Sequence, residues 1–147
     1  MTAAAPGGPP TRRLRVLLVE DDEDHVFLIR RALRDLRGVA VSLAVARSGE
    51  QALRWLAAAG AEQRPLPQLV LLDLRTPRLH GLEVLRRLRA DSTLRRLPVV
   101  VLTSSDHPDD RDQALRLGAR HYLSKPLDGA SFRTTVQTAA RNATPPP

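Results

Sequence analysis

The segment "PQLVLLDL", residues 67–74, is the most informative stretch of this sequence for the fold. It is a short apolar run without polar alternation, and an acid, Asp73, stands almost at its end. Continuous apolar runs of this length are typical of strands in a parallel sheet, because helices cover both faces of such a sheet. We therefore predict a buried strand here that places a carboxylate at its carboxyl end.

The same unit of apolar strand and amphipathic helix occurs five times along the chain. Further strands are predicted over 14–19, 39–45, 97–105 and 119–125, and helices over 25–36, 48–60, 81–91, 108–118 and 128–142. Asp22 or Asp24 is predicted to cap the first helix, Ser48 to cap the second, and Gly60 to close the second. Five such units predict an α/β fold, a doubly wound five-stranded parallel sheet in the order 2-1-3-4-5 with five helices, as in flavodoxin-like proteins.

Composition sets the domain organisation and the compartment that we expect. The 147 residues suit one domain, and a hydrophobic content of 42% with only 3% aromatic residues predicts an aliphatic core. We predict a disordered arm over 1–11, the folded domain over 12–142 and a Pro-rich tail over 143–147. The chain has no cysteine and no apolar run near the roughly 20 residues that span a bilayer, so we expect a cytoplasmic protein without membrane contact.

The residues that follow the predicted strands have complementary chemistry. In the order 2-1-3-4-5, strands one, three, four and five are neighbours, and their carboxyl ends share one edge of the sheet. The polar residues at those ends are Glu20, Asp21, Asp73, Thr103, Ser104 and Lys125. Oxygen ligands suit a hard cation such as Mg²⁺, and an ammonium with a hydroxyl can bind phosphoryl oxygens. The pattern predicts a phosphoryl site beside a metal ion, with Asp73 as a nucleophile able to form an aspartyl phosphate.

Lys125 is the only lysine in a chain that has 22 arginines. An ammonium is a compact point charge, whereas a guanidinium is a planar fork, so the two are not interchangeable at a crowded site. The use of lysine at this one position therefore indicates a constrained site residue.

Several segments, taken in order, resemble the receiver domain of two-component response regulators. "VLLVEDDEDHVFLIRRAL" resembles the first strand, acidic pair and first helix of that family, and "PVVVLTSS" and "GARHYLSKP" resemble its hydroxyl and lysine-proline motifs. "LVLLDLRTPRLHGLEVL" resembles its phosphoacceptor segment, including the spacing of Asp73, Pro77 and Gly81. The resemblance runs from about residue 15 to residue 141.

The resemblance implies a role for each matching residue around the phosphoacceptor, Asp73. Glu20 and Asp21 match the acidic pair, which would hold Mg²⁺, or Mn²⁺ in its place, together with Asp73 and the backbone carbonyl of Arg75. Lys125 would bind a phosphoryl oxygen. Arg75 departs from the Asn or other polar residue that is more common at its position, and we hypothesise that it shields the phosphoryl group and alters its lifetime.

The resemblance also implies a switch that carries the signal. Thr103 would bond to the phosphoryl group, Ser104 would keep access to it open, and Tyr122 would swing inward as Thr103 moves. The peptide bond before Pro126 is expected to be cis.

These roles imply a stand-alone signalling domain. It would accept a phosphoryl group from a sensor histidine kinase and assist its own phosphorylation and dephosphorylation, but act on no separate substrate. "TSSDHPDDRDQALRLGARHYLSKPLDGASF" resembles the small single-domain regulators that partner phytochrome-type kinases. Output would pass through the surface of the fourth helix, fifth strand and fifth helix, to an unidentified partner or to a second copy in a homodimer.

Two other classes of function remain open. An Asp-nucleophile phosphohydrolase would use "DLRTP", but Arg75 stands where haloacid-dehalogenase-type phosphatases have their second acid, so the general acid-base group is missing. The net charge of +7 would suit a nucleic-acid-binding protein. The basic residues are scattered and no aromatic residues interleave them, so we expect no direct nucleic-acid binding.

Overall fold

The computed structural model describes residues 12–104 and 107–142, without the side chains of 140–142. The predicted arm over 1–11 and tail over 143–147 lie outside the described residues. The elements are β1 (Arg12–Val19), α1 (Glu23–Arg34), β2 (Val39–Ala46), α2 (Gly49–Ala58), β3 (Leu69–Leu72), α3 (Gly81–Ala90), β4 (Val99–Thr103), α4 (Pro108–Arg116), β5 (His121–Ser124) and α5 (Gly129–Asn142).

The five strands form one parallel sheet in the order β2-β1-β3-β4-β5. The predicted fold class and strand order are therefore confirmed. Among the helices of the described residues, none has the length and apolar character needed to cross a membrane.

The sheet separates two aliphatic layers. Side chains of β1 alternate between them, so that Leu17 and Val19 pack with α2, α3 and α4, while Val16 and Leu18 pack with α1 and α5. Phe132 on α5 is fully buried in the second layer, as its helical spacing predicts. Burying a side chain of this size contributes about 1.5–3 kcal/mol, so the two layers fix the sheet between the helices.

The strands at the centre of the sheet are buried along their whole length, and the two outermost strands are not. Every residue of β3 and β4 is buried, whereas β2 and β5 are mostly half-buried or exposed. The prediction that all five strands are covered on both faces is therefore wrong for β2 and β5. The reason is positional, because an edge strand has a neighbour on one side only.

Side-chain caps set where the first two helices begin. The Asp22 carboxylate accepts hydrogen bonds from the backbone N–H groups of Asp24 and His25, and the Ser48 hydroxyl accepts one from Gln51. Asp22 rather than Asp24 is thus the cap of α1, which begins at residue 23. Gly60 directly follows Ala59, the C-cap residue of α2, as predicted, but it lacks the positive φ that a closing glycine commonly has at this position.

Arg89, near the end of α3, binds two loops at the end of the sheet where the strands begin. Its guanidinium donates hydrogen bonds to the carbonyls of Leu117 (2.8 Å), Arg95 (3.0 Å), Leu97 (3.0 Å) and Gly118 (3.1 Å). Gly118 has a φ of +86°, and a Cβ there would lie 3.1 Å from the Arg89 Nε. Glycine therefore satisfies both the left-handed backbone and the close approach of the guanidinium.

We predict that Arg89→Met lowers the free energy of unfolding by about 2–3 kcal/mol, because four carbonyls lose a charged donor while the apolar stem is kept. Urea denaturation measures the change. Arg87→Met is the matched control on the same helix, since Arg87 pairs with Glu83 at the surface. An exposed pair of that kind contributes about 0.3–0.5 kcal/mol. Equal losses in the two variants would contradict the role assigned to Arg89.

Candidate functional site

The backbone itself brings three charged side chains to one edge of the sheet. Just beyond the strand ends, the N–H of Glu20 donates to the carbonyl of Ala46 (2.9 Å), that of Asp73 to Val19 (3.0 Å) and that of Lys125 to Thr103 (2.9 Å). Each bond continues the pairing of parallel strands by one step. Glu20, Asp73 and Lys125 are therefore held in register at the carboxyl edge, where the sequence predicts them.

The Lys125 ammonium is the centre of the site. It donates hydrogen bonds to Glu20 Oε1 and to Asp73 Oδ2 (3.1 Å), and it lies 2.8 Å from His25 Nδ1. The Lys125, Glu20 and Asp73 side chains are only 8%, 1% and 8% exposed. We call these four residues the Lys125 cluster.

Glu20 experiences conflicting influences in this cluster. Burial is the largest of them and raises the pKa of the Glu20 carboxyl above its ordinary value of 4.5, and the neighbouring charge of Asp73 raises it further. The hydrogen bond and positive charge of Lys125 oppose the increase without cancelling it. Two carboxylates facing one ammonium therefore leave an excess of negative charge, which a cation would relieve.

The loop between β3 and α3 fixes the Asp73 carboxylate from its other side. Asp73 Oδ1 accepts a hydrogen bond from the N–H of Arg75 (3.0 Å), and the N–H of Gly81 donates to the carbonyl of Leu74 (2.8 Å). A Cβ on Gly81 would lie 2.5 Å from Leu74 Cα and 2.8 Å from the Asp73 carbonyl oxygen. Because both atoms belong to the backbone, only glycine lets α3 begin this close to Asp73.

The other predicted site residues lie near this cluster, at the carboxyl ends of the strands or on the strands that lead to them. Thr103 is buried at the end of β4, and Tyr122 on β5 is half-buried against the layer formed by α2, α3 and α4. Asp21, Arg75 and Ser104 are exposed at the same edge of the sheet.

The peptide bond between Lys125 and Pro126 is cis, as the resemblance implies. It directly follows β5, so it forms part of the turn in which Lys125 stands.

His25 is the member of the cluster that sequence reasoning missed. It lies in the first turn of α1, three residues after the Asp22 cap, and its side chain is 38% exposed. The position of His25 in the sequence could have indicated its place at the site, because the first turn of α1 follows β1 and must lie at the carboxyl ends of the strands. The helical phase that turns His25 toward Lys125, 100 residues away in sequence, is visible only in three dimensions.

The carboxylates at this end of the sheet fit a hard divalent cation, whereas the imidazole of His25 is not a ligand that Mg²⁺ prefers. Among the described residues, Glu20, His25 and Asp73 offer ligand atoms that lie within 4.8 Å of one another. Asp21 adds an exposed carboxylate directly after Glu20. Mg²⁺ is held in proteins by one or two carboxylates, with water and phosphate oxygens completing its shell, and this edge provides such carboxylates beside open solvent.

We predict that Glu20→Gln stabilises the protein relative to wild type, and more so at pH 7 than near pH 4.5. A raised folded-state pKa favours folding below the ordinary value of 4.5, and that contribution is lost as the pH rises through the folded pKa. Glutamine carries no charge to bury, so the difference grows with pH. Denaturation of both proteins across this range, without divalent cations, is the measurement. A difference independent of pH would contradict the assignment.

The family model and the relatives that match this sequence agree with one another. Residues 16–137 match the model of the response regulator receiver domain. The chain is 41% identical over 122 residues to the probable methanogenesis regulatory protein FilR2 of Methanothrix harundinacea, covering 83% of this chain and 78% of that protein. It is 37% identical over 111 residues to response regulator Rcp1 of Synechocystis sp., covering 75% of each. Some relatives are longer, since the chain spans only 26% of response regulator PleD of Caulobacter vibrioides.

Solved structures show the same fold. The Mn²⁺-bound form of Rcp1 has a TM-score of 0.76 at 32% identity, covering 91% of this chain and 99% of that one. The phosphorylated cyanobacterial phytochrome response regulator RcpA has a TM-score of 0.75 at 30% identity, covering 89% and 94%. Sequence match, strand order and fold agree along most of the chain, which therefore belongs to the response regulator receiver domain family.

Proposed function

We propose that this protein is a phosphoacceptor of a two-component system and that Asp73 takes the phosphoryl group from a phosphohistidine of a sensor kinase. The observation that carries the proposal is the contact of the buried Asp73 carboxylate with the Lys125 ammonium at 3.1 Å. A carboxylate held at an open edge beside a fixed positive charge can act as a nucleophile toward phosphorus, because the charge also stabilises the incoming phosphoryl oxygens.

The transfer conserves atoms and charge. An Asp73 carboxylate oxygen attacks phosphorus, a P–O bond forms, and the P–N bond to the kinase histidine breaks. The electron pair of that bond returns to the imidazole, whose other nitrogen carries a proton, so the histidine leaves neutral. Lys125 and the Thr103 hydroxyl bind the phosphoryl oxygens in the acyl phosphate that results.

We assign the divalent cation to the carboxylates at this edge. Asp21 and Asp73, with the Arg75 carbonyl, would hold Mg²⁺ or Mn²⁺, and Glu20 would act mainly through water. When bound, the ion neutralises phosphoryl oxygens as charge develops on them. The excess negative charge of the Lys125 cluster supports this assignment, and so does the Mn²⁺-bound form of the relative Rcp1.

The signal would leave through the surface of α4, β5 and α5. Thr103 and Tyr122 lie on adjacent paired strands, and Tyr122 packs against the same layer as α4. A shift of Thr103 toward a phosphoryl group would therefore free space for Tyr122 to move inward and change this face. We infer that a partner protein or a second copy contacts this face. Similarity to RcpA supports a phytochrome-type kinase upstream.

We predict that incubation with acetyl phosphate and Mg²⁺ adds one phosphoryl group to wild type and none to Asp73→Asn, because asparagine is not a nucleophile toward phosphorus. Intact mass measures the label. After the donor is removed, comparing the decay of the label in wild type and in Arg75→Asn tests whether Arg75 shields the phosphoryl group from water. Equal labelling of the two proteins, or an unlabelled wild type, would contradict the proposal.

We predict that Lys125→Arg lowers the rate of this labelling about 10- to 100-fold. The loss of one well-placed hydrogen bond from a charged donor weakens stabilisation by about 1.5–3 kcal/mol, and the planar guanidinium does not fit among three converging acceptors. Time courses of intact mass at fixed acetyl phosphate give the rate. Arg120→Lys, one residue before β5, is the control for an exchange of cations. Labelling of Lys125→Arg at the wild-type rate would mean that charge alone suffices.

A further inference from the structure

His25 contacts the lysine to which we assign phosphoryl binding, although no motif of the sequence gives His25 a role of its own. Its Nδ1 lies 2.8 Å from Lys125 Nζ and 3.6 Å from Glu20 Oε1. An ammonium has three donors and no acceptor, so the Nδ1 of His25 must be the acceptor in this contact. The ring proton is then on Nε2, which faces the Asp22 carboxylate at 3.9 Å.

The start of α1 is built so that His25 points at Lys125. The Asp22 carboxylate accepts hydrogen bonds from the N–H of Asp24 (2.9 Å) and of His25 itself (3.2 Å), which fixes the backbone of the first turn. Val26, the next residue, is buried between α1 and the sheet. The cap and the buried neighbour together leave His25 little freedom to leave the cluster.

We propose that His25 is a positioning residue for Lys125, a neutral third anchor that holds the ammonium where a phosphoryl oxygen arrives. This inference rests on the proposed function. In the resting protein, Glu20, Asp73 and His25 take the three donors of Lys125. Once Asp73 is phosphorylated, its charge moves to the phosphoryl oxygens and one donor of Lys125 must follow. Glu20 and His25 then remain as the two fixed points that direct the third donor.

The neutrality of the third anchor matters as much as its position. A carboxylate in place of His25 would bind the ammonium more strongly and would add negative charge where a phosphoryl group has to approach. An apolar side chain would leave a donor of a nearly buried ammonium without a partner. An imidazole orients the ammonium and competes little for it.

His25→Leu and His25→Asn separate the hydrogen bond from the shape of the side chain. Asn Oδ1 takes the same place along the side chain as His Nδ1, and Leu has a methyl group there. At saturating Mg²⁺ with acetyl phosphate as donor, we expect labelling of His25→Leu to be about 10-fold slower than wild type, and His25→Asn to recover most of the rate. Phe27→Leu, at a position on the same helix that is 61% exposed, is the control and should keep the wild-type rate.

The single lysine of the chain provides a second, independent measurement. With lysine labelled at its side-chain ¹⁵N, the NMR spectrum of the protein contains one ammonium signal, that of Lys125. We expect protection of its protons from solvent exchange in wild type and in His25→Asn, and a roughly 10-fold loss of protection in His25→Leu.

The two measurements distinguish failure of the inference from failure of the proposed function. Wild-type rate and protection in His25→Leu would overturn the role of His25, and so would a His25→Asn protein as slow and as unprotected as His25→Leu. If wild type itself takes no label, the proposed function fails. The exchange experiment then still decides whether His25 anchors Lys125.

Discussion

The rest of this structure depends on keeping a nearly buried ammonium together with two nearly buried carboxylates. A single unpaired charge in such a position would cost several kcal/mol, so the Lys125 ammonium is tolerated there only in contact with a carboxylate. The three come from three strands and must be held to within a hydrogen-bond length. The N–H groups of all three bond to the neighbouring strand, which makes the sheet itself the frame of the site.

The same cluster is a compromise between stability and chemistry. Burial is the main cause that raises the pKa of the Glu20 carboxyl, and the neighbouring charge of Asp73 adds to the increase, while the hydrogen bond from Lys125 opposes it. A protein selected for stability alone would have a neutral side chain at one of these positions, since removing an uncompensated charge relieves repulsion. Under the proposed function the excess charge has a use, because carboxylates that repel each other in the resting protein would attract a divalent cation.

The residues at the carboxyl edge could be predicted because each stands at the end of an apolar run. Regular alternation of strands and helices with right-handed crossovers leaves few strand orders, and the order 2-1-3-4-5 brings Glu20, Asp73 and Lys125 together. Contacts that depend on helical phase or on loop geometry could not be predicted in the same way. His25 and the carbonyl-binding Arg89 belong to this group, since nothing local in sequence marks their partners. The start of β1 was also missed, because Arg12 pairs with Val39 although its side chain is polar.

Lys125 and Arg89 together explain why a chain so rich in arginine keeps one lysine. The acceptors of Arg89 are four carbonyls spread over two loops, and a guanidinium with donors on three nitrogens around a carbon can reach them all at once. The acceptors of Lys125 instead converge on one point from β1, β3 and α1. Converging acceptors would meet the central carbon of a guanidinium, whereas they surround the single nitrogen of an ammonium. Its flexible stem also lets that nitrogen exchange one acceptor for another while the backbone stays in place. The role that we propose for Lys125, releasing Asp73 and taking up a phosphoryl oxygen, requires that freedom, and bidentate binding by an arginine would remove it.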